Sequence, residues 1–265
     1  MKTKLLDKTG KQKKEIDLPK NFSVKIRPDI LLKVFEAKKL EKMQPQGSKK
    51  GAGAGYSASG IIRRRRNVWK SGYGQGMSRV PRKVMSRSGS SFNWVGATVA
   101  QTVGGRKAHS PKSIKNLSRK INKKEFVMAF NSALCGTVNP RAIEKKYHKN
   151  IESGFVFESS ILETKTKEFL AILKKLFKEN FEKAIKIKTV RAGRGKLRGR
   201  KYKSNAGLLF VIASDEKMKR TGIEVVRVNE LEIMDLAPNG VAGRITCYTA
   251  KAIEEIEKVF GGKKK

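Results

Sequence analysis

The 83 residues from Lys42 to Lys124 hold 20 lysines and arginines and no aspartate or glutamate. With 23 acids in 265 residues, an even spread would place about seven there. A stretch purged of carboxylates cannot neutralise itself. Its own repulsion opposes a packed core, and a densely anionic partner, phosphate first, is what such a composition points to. Any compact domain must therefore be assembled mainly from the residues on either side.

The rest of the chain agrees in sign. Formal net charge is +38, far beyond what solubility asks for, so nucleic acid is the first candidate partner and a membrane surface a weaker one. The longest clear apolar run, Leu208 to Ala213, falls far short of the ~18 residues a spanning helix needs. The opening M-K-T-K-L-L-D-K carries charge where a secretory signal needs an apolar centre, so export is not expected. Cys135 and Cys247 have no C-x-x-C spacing and read as buried, reduced thiols. His109 and His148 are the only histidines, too few for a metal cluster or a triad.

Lys4-Leu5-Leu6 and Ile16-Asp17-Leu18 flank the turn-like Asp7-Lys8-Thr9-Gly10 and predict a small hairpin. A helix follows, with Asp29 as its cap and Ile30, Leu31, Val34, Phe35 and Met43 on one stripe, and Pro45 and Gly47 stop it. From Gln44 to about Pro111 no periodicity is usable, and 12 of the 24 glycines lie there. Some 65 residues without pattern are too many for a core loop, so this segment is expected to be an arm that folds back on itself. Asn122-Lys-Lys-Glu125 has capping-box spacing before a helix to which Phe126, Met128, Phe130, Ala133 and Leu134 supply apolar surface, and Asn139-Pro140 starts a second. Beyond residue 153 come strands at Phe155 to Phe157, Leu208 to Ala213, Ile223 to Val228 and Arg244 to Thr249. Helices are expected at Thr164 to Phe177, Asp215 to Arg220 and Ala250 to Phe260. This alternation predicts an α/β fold: three layers, α/β/α, with a mainly parallel sheet of about four strands, plus a long extended basic internal loop. The expected globular domain takes residues 1–43 and 112–265, and the loop 44–111. A second acid-free run, Lys183 to Lys203, carries ten cations.

Gly53-Ala-Gly55-Tyr-Ser-Ala58 matches a dinucleotide fingerprint only on paper, because no buried strand precedes it and four arginines follow. Asp215, Glu216 and Asp235 fall at strand or helix ends, where α/β enzymes place active sites, yet nothing pairs with them as base or nucleophile. The run Arg63-Arg64-Arg65-Arg66-Asn67-Val68-Trp69-Lys70 is a different matter. It is interleaved with Trp69 and Tyr73, and further on with Phe92 and Trp94, which have no helical or strand period. Rings stack on unpaired bases while guanidinium groups fork onto phosphates, and glycine lets backbone N–H groups approach phosphate oxygens. His109, among cations, reads as a loop imidazole near a phosphate or base. Cations, glycines and rings together favour structured RNA over DNA, since no recognition helix is available for a major groove.

The string R-R-R-N-V-W-K-S-G-Y-G-Q-G-M-S-R-V-P-R (Arg64 to Arg82), then F-N-W-V-G (92 to 96), G-G-R-K-A-H (104 to 109), N-K-K-E at Asn122, R-A-G-R-G-K-L-R-G-R-K-Y from Arg191 and L-A-P-N-G-V-A-G-R-I-T-C-Y-T (Leu236 to Thr249) closely resembles the large-subunit ribosomal protein L-four family, in its archaeal and eukaryotic branch. The short stretch after Phe260 resembles the archaeal members.

The resemblance implies a non-catalytic protein of the large ribosomal subunit, in the cytoplasm. Its partners would be 23S-type rRNA, neighbouring large-subunit proteins and the nascent peptide; no membrane and no homo-oligomer are expected. It implies rRNA contacts at Arg63, Arg64, Arg65, Arg66, Trp69, Lys70, Tyr73, Arg79, Arg82, Lys83, Arg87, Trp94, Arg106, Lys107 and His109. The second basic run adds Arg194, Lys196, Arg198 and Arg200. The loop tip lining the peptide exit tunnel would be Trp69, Lys70, Ser71, Gly72, Tyr73, Gly74, Gln75, Gly76 and Met77. No cofactor is expected, and Mg2+ accompanying the rRNA would not be protein-ligated. The rival readings are an RNA-processing enzyme and a chromatin-type DNA binder.

Overall fold

The structure, a computed structural model, describes residues 1–61 and 64–260. Its elements run β1 (Lys2–Leu6), β2 (Gln12–Asp17), α1 (Pro28–Glu41), β3 (Arg82–Ser88), β4 (Ser91–Gly96), α2 (Lys123–Val138), α3 (Pro140–Tyr147) and β5 (Phe155–Phe157). They continue with α4 (Thr166–Phe177), α5 (Phe181–Ala184), β6 (Lys188–Val190), β7 (Tyr202–Ser204), β8 (Leu209–Ile212), β9 (Glu224–Arg227), α6 (Ile233–Leu236), β10 (Thr246–Thr249) and α7 (Ala250–Phe260). The chain separates into two compact units, Met1–Lys42 with Ser118–Lys265, and Met43–Leu117.

The first unit is built on a six-stranded sheet of order β2-β1-β5-β10-β8-β9. Only β1 and β2 pair antiparallel; every other neighbour is parallel. Side chains alternate between the faces, as a strand's period of two requires. Leu5, Val156, Leu209, Val211 and Tyr248 join one core with α1, α2, α6 and α7. Leu6, Phe155, Phe157, Phe210, Ile212 and Cys247 join the other with α3, α4 and α5. Helices thus cover both faces, and the fold is three-layer α/β as the alternation implied.

The sheet is wider than the four strands expected. The N-terminal hairpin does not stand apart: Leu5 pairs with Val156 and Leu6 with Phe157, so β1 lies inside the sheet. Leu5 and Leu6 are both buried, one on each face, and that burial is what draws the hairpin in.

Several local expectations differ as well. Residues Asp215 to Arg220 form a turn and open chain, not a helix. Glu216 is drawn inward instead, accepting from the Ser159 hydroxyl at 2.7 Å, the Thr249 hydroxyl at 2.7 Å and the Ala213 N–H at 3.0 Å. Asn122 precedes α2 but makes no side-chain cap, and Glu125 accepts from Lys33 Nζ at 2.9 Å rather than closing a capping box. Asp29 sits in the first turn of α1 rather than at its cap, and binds Arg27. Asn139 does cap α3, accepting from the Arg141 N–H at 3.0 Å, with Pro140 at the first helical position. Cys135 and Cys247 are free and buried, and burial pushes both thiols up.

Candidate RNA interface

The unit from Met43 to Leu117 carries 15 lysines and arginines and no carboxylate. Every ion pair among the described residues lies in the other unit. The cations of this one are left to solvent, to backbone carbonyls and to aromatic faces.

What gives it shape is backbone packing. A Cβ on Gly53, which holds φ at +79°, would stand 2.5 Å from the Gly105 carbonyl oxygen, and one on Gly47 would stand 2.6 Å from the Ser113 nitrogen. The outgoing and returning limbs therefore touch through bare backbone, an approach only glycine permits. Lys49 and Lys50 from one limb and Arg106, Lys107 and Lys112 from the other line a cleft of about 580 Å3. Further out, β3 and β4 form an antiparallel hairpin. The sequence offered no alternation there because the register shifts between Val84 and Ser86, which breaks the period of two that would have announced a strand.

On this hairpin the candidate rings gather. Phe92 meets Trp69 edge-on, with centroids 4.9 Å apart, and stacks on Trp94 at 5.2 Å. The Arg87 guanidinium lies 4.8 Å from the Trp69 ring and 5.8 Å from Phe92. Tyr73 carries Arg66 at 6.0 Å and Arg79 at 5.5 Å, and Lys83 sits 3.8 Å from the Tyr56 ring. Rings expected to wait for bases are stacked on one another and on their own cations, an arrangement worth about 0.5–1.5 kcal/mol per aromatic pair.

The remaining candidates are dispersed. Arg64 and Arg65 are exposed, and the Arg65 carbonyl accepts from the buried Ser71 hydroxyl. Lys70 holds φ at +63° and its carbonyl accepts from the Ile61 N–H at 2.9 Å. Gln75 donates to the Ser71 carbonyl at 3.3 Å. Gly72, Gly74, Gly76 and Met77 line a second cavity with Tyr73. Arg106, Lys107 and His109 are exposed on the returning limb. Arg63 lies outside the described residues. Arg194, Lys196, Arg198 and Arg200 belong to the other unit, exposed between β6 and β7, which form a hairpin of their own. Lys49, Lys50, Lys112 and Tyr56 were not singled out by sequence; the absence of acids around them was the signal they shared.

The carboxyl ends of β5, β8 and β10, where an α/β enzyme would place its chemistry, are occupied by structural hydrogen bonds. Glu216 is spent on Ser159, Ala213 and Thr249, and Glu255 accepts from the Ser214 N–H and hydroxyl. Among the described residues no group of three or more His, Cys, Asp or Glu could hold a metal, and no helix is long and apolar enough to cross a membrane.

The model of the Ribosomal protein L4/L1 family matches residues 16–259. The chain belongs to that family. It is similar to the "Large ribosomal subunit protein uL4" of Methanocaldococcus jannaschii, 35% identical with 98% of this chain and 100% of the relative covered. The protein of the same name from Thermoplasma acidophilum is 38% identical over 95% of each chain, and that of Nanoarchaeum equitans 35% over 97% and 98%. The likeness to archaeal members that the motifs carried thus extends along nearly the whole chain. L4/L1 family members are ribosomal proteins, structural components of the translation machinery rather than enzymes.

Proposed function

We propose that this chain is a structural constituent of the large ribosomal subunit, placed in the cytoplasm, whose inserted basic loop (44–111) binds 23S-type rRNA. The globular domain (1–43 and 112–265) anchors the loop, and Arg194, Lys196, Arg198 and Arg200 add a second contact. Arm cations replace counterions where rRNA segments converge, so the protein stabilises rRNA folding without catalysis. The segment Trp69 to Met77 is the tip along the nascent-peptide exit tunnel. Neighbouring large-subunit proteins complete its surroundings, and Mg2+ at the site belongs to the rRNA.

One observation carries this reading: a ribosomal-family chain encloses a unit of 15 cations without a single carboxylate. Salt titration of the full chain on a 23S-type rRNA fragment is the test. With about ten phosphate contacts, the slope of log affinity against log salt should be about −7 to −9. A slope near −2 would rule out counterion release as the main source of affinity. Competition at matched salt separates the DNA-binding alternative, with rRNA expected to displace duplex DNA and not the reverse. The large-subunit assignment predicts that the protein sediments with large subunits in high salt.

A further inference from the structure

Tyr73, Arg66, Arg79, Arg82, Trp94 and Met77 surround a cavity of about 280 Å3. Arg66 and Arg79 place their guanidinium carbons 6.0 and 5.5 Å from the Tyr73 ring centroid. Arg82 is oriented by donating to the Ser78 carbonyl at 2.7 Å and its hydroxyl at 3.0 Å. The walls are thin because of two glycines. A Cβ on Gly72 would stand 3.1 Å from Met77 Cε, and one on Gly74 3.5 Å from Arg66 Nε. Three guanidinium groups thus converge in a unit that contains no carboxylate to offset them. Such a cluster is relieved by an anion, and planar rings on the same walls suit a planar occupant.

We infer that this cavity is a subsite for one nucleoside monophosphate unit, its phosphate on Arg66, Arg79 and Arg82 and its base against the aromatic wall. The unit is either an unpaired residue of RNA or a free nucleotide; the RNA source rests on the RNA-binding reading above. The volume lies at the foot of the ~300–1,000 Å3 range of small-molecule pockets, which suits one nucleotide rather than a stack. This differs from the phosphate tracking of the other arm cations, because a cavity with a ring in its wall discriminates a nucleotide from a bare phosphate.

The test is equilibrium dialysis of the full chain with adenosine monophosphate, against adenosine and inorganic phosphate at the same salt. One equivalent should bind, about tenfold more tightly than either control, the gain that stacking on a ring supplies. Arg66→Ala and Arg79→Ala change exposed side chains and should each weaken it about fivefold or more. Tryptophan emission from Trp69 and Trp94, the chain's two tryptophans, confirms that the unit is intact in each variant. Lys251→Ala, exposed on α7, should leave nucleotide binding unchanged. An RNA duplex with a single-nucleotide bulge that displaces the nucleotide, where a fully paired duplex does not, assigns the RNA source; retention against both assigns the free nucleotide. Equal binding of inorganic phosphate, or unchanged binding in Arg79→Ala, overturns the subsite. Absent nucleotide binding with an rRNA salt slope still near −7 to −9 overturns the subsite alone. A slope near −2 with the nucleotide still bound overturns the RNA-binding reading and leaves a free-nucleotide site.

Discussion

Arg244 is 2% exposed, and each of its guanidinium nitrogens has a partner. It donates to the carbonyls of Gly207 at 3.0 Å, Asp235 at 2.6 Å and Ala206 at 2.6 Å, and to Glu224 Oε2 at 2.6 Å. Removing it strands a partly buried carboxylate and three carbonyls, so Arg244→Met should cost about 3–5 kcal/mol in urea denaturation of the full chain. Burial pushes the Glu224 carboxyl up, but its hydrogen bond and charge contact with Arg244, with help from Lys186, outweigh that and hold it below the ordinary value. A depressed folded value stabilises above the unfolded glutamate value of about 4.5, and the contribution is lost as pH falls through the folded one. Asp235, raised mainly by burial, has the opposite slope. The clean measurement is therefore the difference between wild type and Glu224→Gln, which should narrow as pH drops below about 4.5. Nothing in L-A-P-N-G-V-A-G-R-I-T-C-Y-T marks this arginine as buried rather than as one more RNA contact; the distinction is made by carbonyls from distant stretches of the chain. The two asparagines ahead of helices differ in the same hidden way. Asn139→Ala should lose about 1 kcal/mol of thermal stability, whereas Asn122→Ala, whose side chain caps nothing, should change it by only a few tenths.

At the scale of elements, legibility followed burial. The runs at Phe155, Leu208 and Arg244 were readable as strands because both faces are packed and apolar residues are continuous. The β3–β4 hairpin was hidden because its strands are largely exposed, and the register shift erased the alternation. The rings of the arm were visible in the sequence, but their stacking on one another was not, since Trp69 reaches Phe92 across 23 residues of chain. That cluster is testable: Phe92→Ala removes the ring that touches both tryptophans, so their emission should shift to the red with no change in the helical signal. On the β6–β7 hairpin, Leu197 is 88% exposed, and Arg194, Lys196, Arg198 and Arg200 are exposed beside it. Replacing Arg194, Lys196, Arg198 and Arg200 together by glutamine should leave stability unchanged and flatten the rRNA salt slope by about 3.

Over the whole molecule, a compact unit from Met43 to Leu117 interrupts in sequence the two stretches that together build the six-stranded sheet. Brief trypsin treatment of RNA-free protein should cut first within that unit, where exposed lysines and arginines are dense. The two flanking fragments should still elute together, because β1 lies between β2 and β5 and α1 packs on α2. Separation of those fragments without denaturant would contradict the shared sheet. The same insertion leaves the segment without a free end. Continuous on both sides with the sheet-bearing unit, it can enter an opening only doubled, both limbs abreast, so any opening that takes it must be wide enough for two chains at once.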